Sequence, residues 1–423
     1  MYEEYRIIGS SKAIWKNVFR SRFLLLGGSV LLLMTVVALL GYLIMPDSTP
    51  YANDMMPEVK NKPSGFRVQV LKIKKDIEVE QRGFIGKMLY GQENPYEIKP
   101  LAEPPRIVGD SVYFVIYPGK EKVSRRSMTR LELSLPLIQC VKSIYVPKSE
   151  KLGRYVPNNY TPIEDGYAYL DVNEVVRTVT YERLEKEFWE NNVEERVFYL
   201  GSDRLGRDVL SRLMYGARIS LMIGVMSLII SLVIGTTVGA LAGYFGGKLD
   251  AILEWLMTVV WSLPSLMLVI AIRLMLDSDK VWITFMAVGL TMWVEVARVV
   301  RGEMKSIKEK LFIEAARALG YSDARIIFRH ILPNLTGSLV VISASNFGAA
   351  ILIEAGFSFL GIGGPAEMPS WGKMIYDGIN ELTPGGYWHL ILYPCISLSI
   401  TVLALNLIGS GLRDVFDPKA SVK

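Results

Sequence analysis

Cysteine and histidine are nearly missing from this chain of 423 residues: it holds two of each, Cys140 and Cys395, His330 and His389. Two cysteines in stretches of different character make neither a disulfide framework nor a metal spacing. Two histidines this far apart cannot close a metal cluster. A phosphate-cradling loop is also lacking, since it needs GxxxxGK[ST] so that backbone amides and a lysine meet the phosphates. The Gly-Lys pairs at Gly86, Gly119, Gly247 and Gly372 lack the upstream Gly and the following Ser or Thr. The chain therefore has no cofactor of its own by this reading and no ATP hydrolysis by this route. No HExxH or GxSxG pattern occurs, so hydrolase chemistry has no nucleophile or metal to start from. Internal repeats and low-complexity tracts are absent too, and nothing points to nucleic acid.

What is present is apolar length. Half the residues (51%) are hydrophobic, the mean hydropathy is +0.29, and the apolar residues gather in long runs. Phe23 to Met45 is uncharged and long enough to cross the roughly 30 Å hydrocarbon core. Arg6, Lys12, Lys16, Arg20 and Arg22 precede it, and Met45-Pro46-Asp47 replaces any small-residue cleavage site, so it reads as a retained first span with a cytoplasmic N-terminus. Further spans are expected at 219–244, 252–276, 281–300, 335–360 and 390–412. Gly235, Gly239, Gly243 and Gly247 recur every four residues, a flat strip for close helix packing. Pro264 falls inside the third span and is expected to kink it. Arg273 lies near the end of that span, where it can snorkel to the interface. Ionisable groups are otherwise scarce within the spans, which speaks against a proton- or ion-coupled transporter or channel.

Residues 46–200 are of another kind. Charge is dense, prolines punctuate, and alternating runs at Phe66–Glu80, Ser111–Tyr117 and Val193–Tyr199 predict strands, with a short helix over Glu182–Asn191. An inserted β-rich α+β domain is expected, on the extracytoplasmic side by span counting. Docking of a partner and a structural spacer both stay open as its role. A membrane-anchored sensor working through 46–199 is the rival reading, but it leaves the later spans without a task.

The stretch Glu314–Pro333 stands between two membrane-length segments and reads as two short helices meeting at a corner. Gly320 supplies a positive φ to end the first, and Ser322 caps the second with Asp323 in its first turn. Pro333 is expected to stop that second helix. Arg298, Arg301, Lys305, Lys308, Lys310, Arg317, Arg325 and Arg329 make this the densest basic cluster in any short loop, which places residues 301–334 in the cytoplasm.

This stretch resembles the EAA loop of the permease subunits of ABC importers, with Glu314, Ala315, Ala316, Gly320, Leu332 and Pro333 at the matching places. His330, where the general motif has Ile, is similar to the dipeptide/oligopeptide branch. Three more stretches resemble that branch. One is residues 201–221, with Asp203, Gly206, Arg207, Asp208, Gly216, Ala217 and Arg218. Another is Gly356–Ile375, containing Trp371 and Gly372. The last is Gly411-Leu412-Arg413-Asp414 with Asp417-Pro418. Pro264 also matches the family. The departures are Trp255 and Thr258, where relatives often have an Arg and an Asp, and Ser410, where they often have an Asp.

The resemblance implies an all-α polytopic membrane protein with six transmembrane helices and the type I ABC importer permease fold. It does not cover the insert. Residues 201–218 are expected as an interfacial segment, with Val209, Leu210, Leu213 and Met214 on one face of a short helix. The implied function is a translocation path for di- or oligopeptides, with nickel, glutathione-like and oligosaccharide cargo left open. Implied partners are a second permease subunit, two cytoplasmic ATPase subunits that bind ATP and Mg, and an extracytoplasmic substrate-binding protein. The implied place is the bacterial inner membrane, both termini cytoplasmic, with residues 314–333 coupling ATPase motion to the spans.

Overall fold

A largely apolar run of 23 residues with Arg22 at its start as its only charge has no choice in lipid but to bond its own backbone, and Arg22–Ile44 (α1) is one unbroken helix. The computed structural model describes residues 19–77, 79–119, 132–145, 159–276, 280–365, 367–382 and 386–416. The sequence readings of the basic N-terminus, of the turn at 277–279 and of the tail beyond Phe416 lie outside these. The described chain divides into two units, one made chiefly of residues 40–212 and the other of the later helices with most of α1.

In the first unit alternation produces strands. Phe66–Lys74 (β1) pairs antiparallel with Tyr96–Pro100 (β2) on one edge and with Val193–Phe198 (β9) on the other. Arg106–Val108 (β3), Ser111–Val115 (β4) and Glu132–Pro136 (β5) form a second sheet, and Tyr160–Ile163 (β6), Gly166–Leu170 (β7) and Val176–Thr180 (β8) a third. Three helices join them: Phe84–Tyr90 (α2), Leu137–Val141 (α3) and Tyr181–Asn191 (α4), the last capped by the Thr180 hydroxyl accepting from the Arg183 N–H. One core draws Leu71, Phe114, Ile138, Tyr167, Leu184 and Phe188 from all three sheets and two of the helices. Cys140 lies within it, fully buried, and burial pushes its thiol pKa up to about 12.

The unit closes on a polar knot at residues 202–212. Asp203 accepts from the Leu205 and Arg207 N–H groups at 2.9 and 3.0 Å and from Arg207 Nε at 2.7 Å, while Arg212 Nε lies 3.5 Å away. Gly206 takes φ +74° with its Cα facing the Met56 carbonyl, where a Cβ would overlap it. Asp208 caps the following helix by accepting from the Ser211 N–H at 2.7 Å, and burial raises its carboxyl above the usual range.

The second unit is helical: Val209–Phe245 (α5), Gly247–Trp261 (α6), Ser265–Leu276 (α7), Val281–Lys308 (α8), Leu311–Ala318 (α9), Asp323–Ile326 (α10), Thr336–Phe359 (α11), Trp371–Asn380 (α12) and His389–Phe416 (α13). Among the described residues five helical stretches are long and apolar enough to cross a membrane, and the pair α6 and α7 qualifies only when taken together, bent by 93°. Two expectations are corrected here. Residues 201–218 do not form a separate interfacial helix, because α5 runs unbroken from Val209. Pro264 does more than kink a span. It ends α6 and starts α7, its carbonyl accepting the Leu268 N–H at 3.1 Å.

The glycine strip explains how α5 and α8 pack. A Cβ on Gly235, Gly239 or Gly243 would stand 2.5–2.7 Å from the carbonyls of Trp293, Ala297 and Arg301, which recur every four residues on α8. Gly289 of α8 answers against Ile230 of α5. Two backbones approach this closely only over hydrogen atoms. Gly247 takes no part, having a φ of +58° and open space around it at the start of α6. Arg273 does not snorkel: it is buried, its guanidinium 5.5 Å from the Phe357 ring centroid and within 3.3 Å of the Thr284 hydroxyl.

Two outcomes follow. Maleimide labelling of the folded protein, read by peptide mass spectrometry, should leave Cys140 unmodified until denaturant is added. Gly239→Leu should push α5 off α8 and lower the thermal midpoint in detergent, with overpacking costing at least about 1–3 kcal/mol.

Candidate functional site

The corner after α8 is built by local rules. Lys308 ends α8, and Lys310 is extended before α9 begins. At the far end of α9 the Gly320 N–H donates to the Arg317 carbonyl at 2.9 Å, and the Tyr321 N–H to the Ala316 carbonyl at 3.1 Å. With Gly320 at φ +77° this is a Schellman stop, open in space but closed to most side chains by its backbone angle. Ser322 is extended and its hydroxyl accepts from the Arg325 N–H, so α10 starts on a cap one residue later.

Packing fixes the back of the corner. Ile313, Ala316, Ile326, Ile331 and Leu335 are buried against Val296, Val300, Met304 and Ile307 of α8. Polar contacts lock it. Tyr244, buried at the end of α5, donates its hydroxyl to Asp323, and Lys308 Nζ donates to the Tyr244 carbonyl. The Arg317 guanidinium lies 5.8 Å from the Tyr244 ring centroid. Across the turn, His330 stacks on Tyr321 at 5.7 Å, and Arg325 covers Tyr321 at 4.4 Å. Where the start of α6 meets the end of α8, Arg301 forks onto Asp250 and reaches Glu254, and Lys305 Nζ lies 2.7 Å from Asp250.

The front is open and partly apolar. Leu311, Leu319 and Phe328 are 71%, 72% and 71% exposed, with Glu314 and Ala315 also outward and Ala316 inward. Pro333 is exposed and Leu332 half-buried. Pro333 does not stop the helix, contrary to the sequence expectation. The path continues through a wide turn at Ile327–Ile331 and a tight turn at Leu332–Leu335 into α11. The tight turn seats Pro333 in its first positions, where no N–H is required. Asn334 Nδ2 donates to the His330 carbonyl and Thr336 Oγ1 to the Pro333 carbonyl, satisfying groups that the irregular turns leave free.

A second cluster gathers Trp371 and Gly372 with α5 and α11. The Trp371 indole N–H donates to the Leu213 carbonyl at 3.1 Å, and Gly216 leaves room for the ring. Gly372 rests on the Ala355 carbonyl. Beside it Glu354 is completely buried and accepts from the Ser358 hydroxyl at 2.7 Å. Arg218 is half-buried on α5. Asp203, Gly206, Arg207 and Asp208 belong to the knot of the other unit, and Pro264 stands at the exposed break between α6 and α7. Tyr244, Lys308, Asp250 and Glu354 were not singled out as partners in the sequence. The pairings of Tyr244, Lys308 and Asp250 cross between helices, while Glu354 takes Ser358 on its own helix; only the position of Tyr244 after the last useful glycine hinted at one.

A family described as "Binding-protein-dependent transport system inner membrane component" matches residues 235–422. The oligopeptide transport system permease protein OppC of Escherichia coli K12 is 45% identical over 223 residues, 52% of this chain and 72% of that protein. OppC of Bacillus subtilis 168 is 38% identical and covers the same shares, and DppC, the dipeptide transport system permease protein of that strain, is 40% identical over 52% of this chain and 68% of its own length. Among solved structures, an inward-facing MetNI methionine ABC transporter chain aligns at 20% identity and TM-score 0.41, over 48% of this chain and 95% of its own. At that level the structural likeness adds nothing to the sequence relationship. The sequence relationship stands on its own: the chain belongs to the family of binding-protein-dependent transport system inner membrane components, multi-pass parts of a transporter and not enzymes.

Proposed function

We propose that this chain is a permease subunit of an ATP-driven importer, forming part of the path for short peptides across a bacterial inner membrane. The observation that carries this reading is the exposed front of the corner. Leu311, Leu319 and Phe328 stand about seven-tenths exposed on a backbone locked from behind by Tyr244, Asp323 and a buried aliphatic face. A rigid corner with apolar tips is suited to seat in a cleft of a separate ATPase and to pass its motion to α8 and α11. The relatives named as oligopeptide and dipeptide permeases support peptides as cargo.

The spans number six in this reading, with α6 and α7 together as the broken third. The basic residues around the corner support a cytoplasmic position for it, and in this reading both ends of the chain lie on that side and residues 46–200 outside. Glu314, Ala315, Ala316, Gly320, His330, Leu332 and Pro333 form the coupling segment. Asp203, Gly206, Arg207, Asp208, Arg218, Pro264, Trp371 and Gly372 serve as structural supports of the path. The partners are a second permease subunit, two ATPase subunits holding ATP and Mg, and a substrate-binding protein.

Purification of the tagged chain in gentle detergent, with mass spectrometry of what accompanies it, tests the assignment. Wild type should bring an ATPase and a second permease, and Phe328→Asp or Glu314→Lys should lose most of the ATPase while keeping the permease. Absence of any ATPase from a folded wild-type preparation would overturn the reading. Gly320→Val places a β-branched residue at φ +77°. It should abolish peptide uptake with normal membrane insertion, and normal uptake would refute a rigid corner.

A further inference from the structure

Helix α2 is turned the wrong way for a domain in water. Its sequence is FIGKMLY, none of its residues is buried, and Phe84, Ile85 and Tyr90 are 70%, 67% and 65% exposed. Phe84, Ile85, Met88 and Leu89 share one face at helical spacing. Each large apolar side chain left in water forgoes about 1.5–3 kcal/mol that burial would return. Most exposed apolar residues on a protein need no explanation. Four exposed together on a helix of seven residues, Phe84, Ile85, Leu89 and Tyr90, do.

The helix is not a loose loop. Arg82 reaches across it, its guanidinium donating to the Tyr90 and Gly91 carbonyls at 3.0 and 3.1 Å, which caps the helix end. The Arg82 N–H donates to Gln92 Oε1 at 3.0 Å, and Gln92 Nε2 donates to the Glu80 carbonyl at 2.9 Å. Residues 80–92 thus form a closed clip that holds the apolar face in one orientation.

Where the clip is fastened decides what covers that face. The Gln92 N–H donates to the Ser48 carbonyl at 2.9 Å. Gly91, at φ +73°, lies against the Ser48 carbonyl and the Tyr42 ring, with no room there for a Cβ. Tyr42 is in the last turn of α1, two residues before Ile44, and its hydroxyl accepts the Tyr51 N–H at 2.9 Å. The C-terminal end of α2 therefore touches the point at which the first span leaves the hydrocarbon. At 1.5 Å per residue α2 is about 10 Å long, and the headgroup layer is roughly 5–7 Å thick on each side of the core. A helix of that length fastened at that point does not escape the layer unless it stands upright. Between Arg82 and Gln92 the charges are Arg82 and Lys87, with no acid. Cations beside an apolar face with aromatic members are the composition of interfacial helices.

We propose that α2 is a membrane-interface anchor: Phe84, Ile85 and Leu89 enter the headgroup and upper acyl region of the leaflet that α1 exits, and hold the 40–212 unit down on the lipid surface. The occupant of the apolar face is lipid, not a protein partner. This rests on α1 crossing the membrane, and the test separates the two.

The chain, with Cys140→Ala and Cys395→Ala, is placed in lipid nanodiscs with single cysteines at Phe84, Ile85 or Leu89, and in a control at Leu33, 60% exposed in the middle of α1. Each is spin-labelled, and collision with oxygen, which concentrates in lipid, is compared with a water-soluble nickel complex. The expected result is oxygen collision exceeding nickel collision at Ile85 and at one or both of its neighbours, to a smaller degree than at Leu33. A lipid signature at Leu33 with nickel dominating at all three α2 positions overturns the anchor and leaves the span intact. Low collision with both reagents on α2 overturns it in favour of a covering protein surface. A water signature at Leu33 overturns the span and the anchor together.

Discussion

The contact on which the helical unit depends is the one between the backbones of α5 and α8. Three glycines on α5 meet three carbonyls on α8 at a common spacing of four residues, so the two helices are held at one register over about two turns. Lipid offers no hydrophobic force to press helices together, and close packing of this kind supplies the attraction instead. The same seam determines the end of the unit at which α9 and α10 turn. Tyr244 follows the last of these glycines, and its hydroxyl and carbonyl bond the first residue of α10 and the last of α8.

The corner is stiff for reasons that act at different ranges. The Schellman stop at Gly320 and the cap at Ser322 fix its angle through neighbours in sequence. The aliphatic face from Ile313 to Leu335 fixes its position through packing on α8. Tyr244 and the stack of Arg325, Tyr321 and His330 then add directional contacts. Removing any one kind leaves the others.

How much of this could be read beforehand depended on range. Gly320 and Ser322 were legible because capping needs only the residues beside them. The strand at 66–74 was legible because Val68 and Val70 turn one face inward, though it ends at Lys74 short of the expected Glu80; the strand at 193–198 was legible from its alternation although only Phe198 is buried. The prolines were misread in opposite senses. Pro264 breaks its helix by 93° where a kink was expected, and Pro333 is carried within a helical path where a stop was expected. The deciding factor in both is what the surrounding carbonyls bond to, which local sequence does not state. Asp250 with Arg301 and Lys305, and Glu354 with Ser358 in a fully enclosed site, were invisible for a related reason: burial is set by the third helix in contact. The setting of α2 was hidden in the same way, since its fastening to Tyr42 and Ser48 joins residues far apart in sequence.

The wide turn at Ile327–Ile331 and the tight turn at Leu332–Leu335 have a joint effect on winding. A turn with i→i+5 bonds is underwound and a 3₁₀ turn is overwound relative to the α-helix. Placed in succession they offset, so the helix leaves the pair with nearly the rotational phase at which it entered. Ile326, Ile331 and Leu335 all remain on the buried side, at 0–1% exposure, across a stretch of irregular backbone that contains a proline. The buried face that begins on α10 therefore runs on to the start of α11 without a lost fraction of a turn.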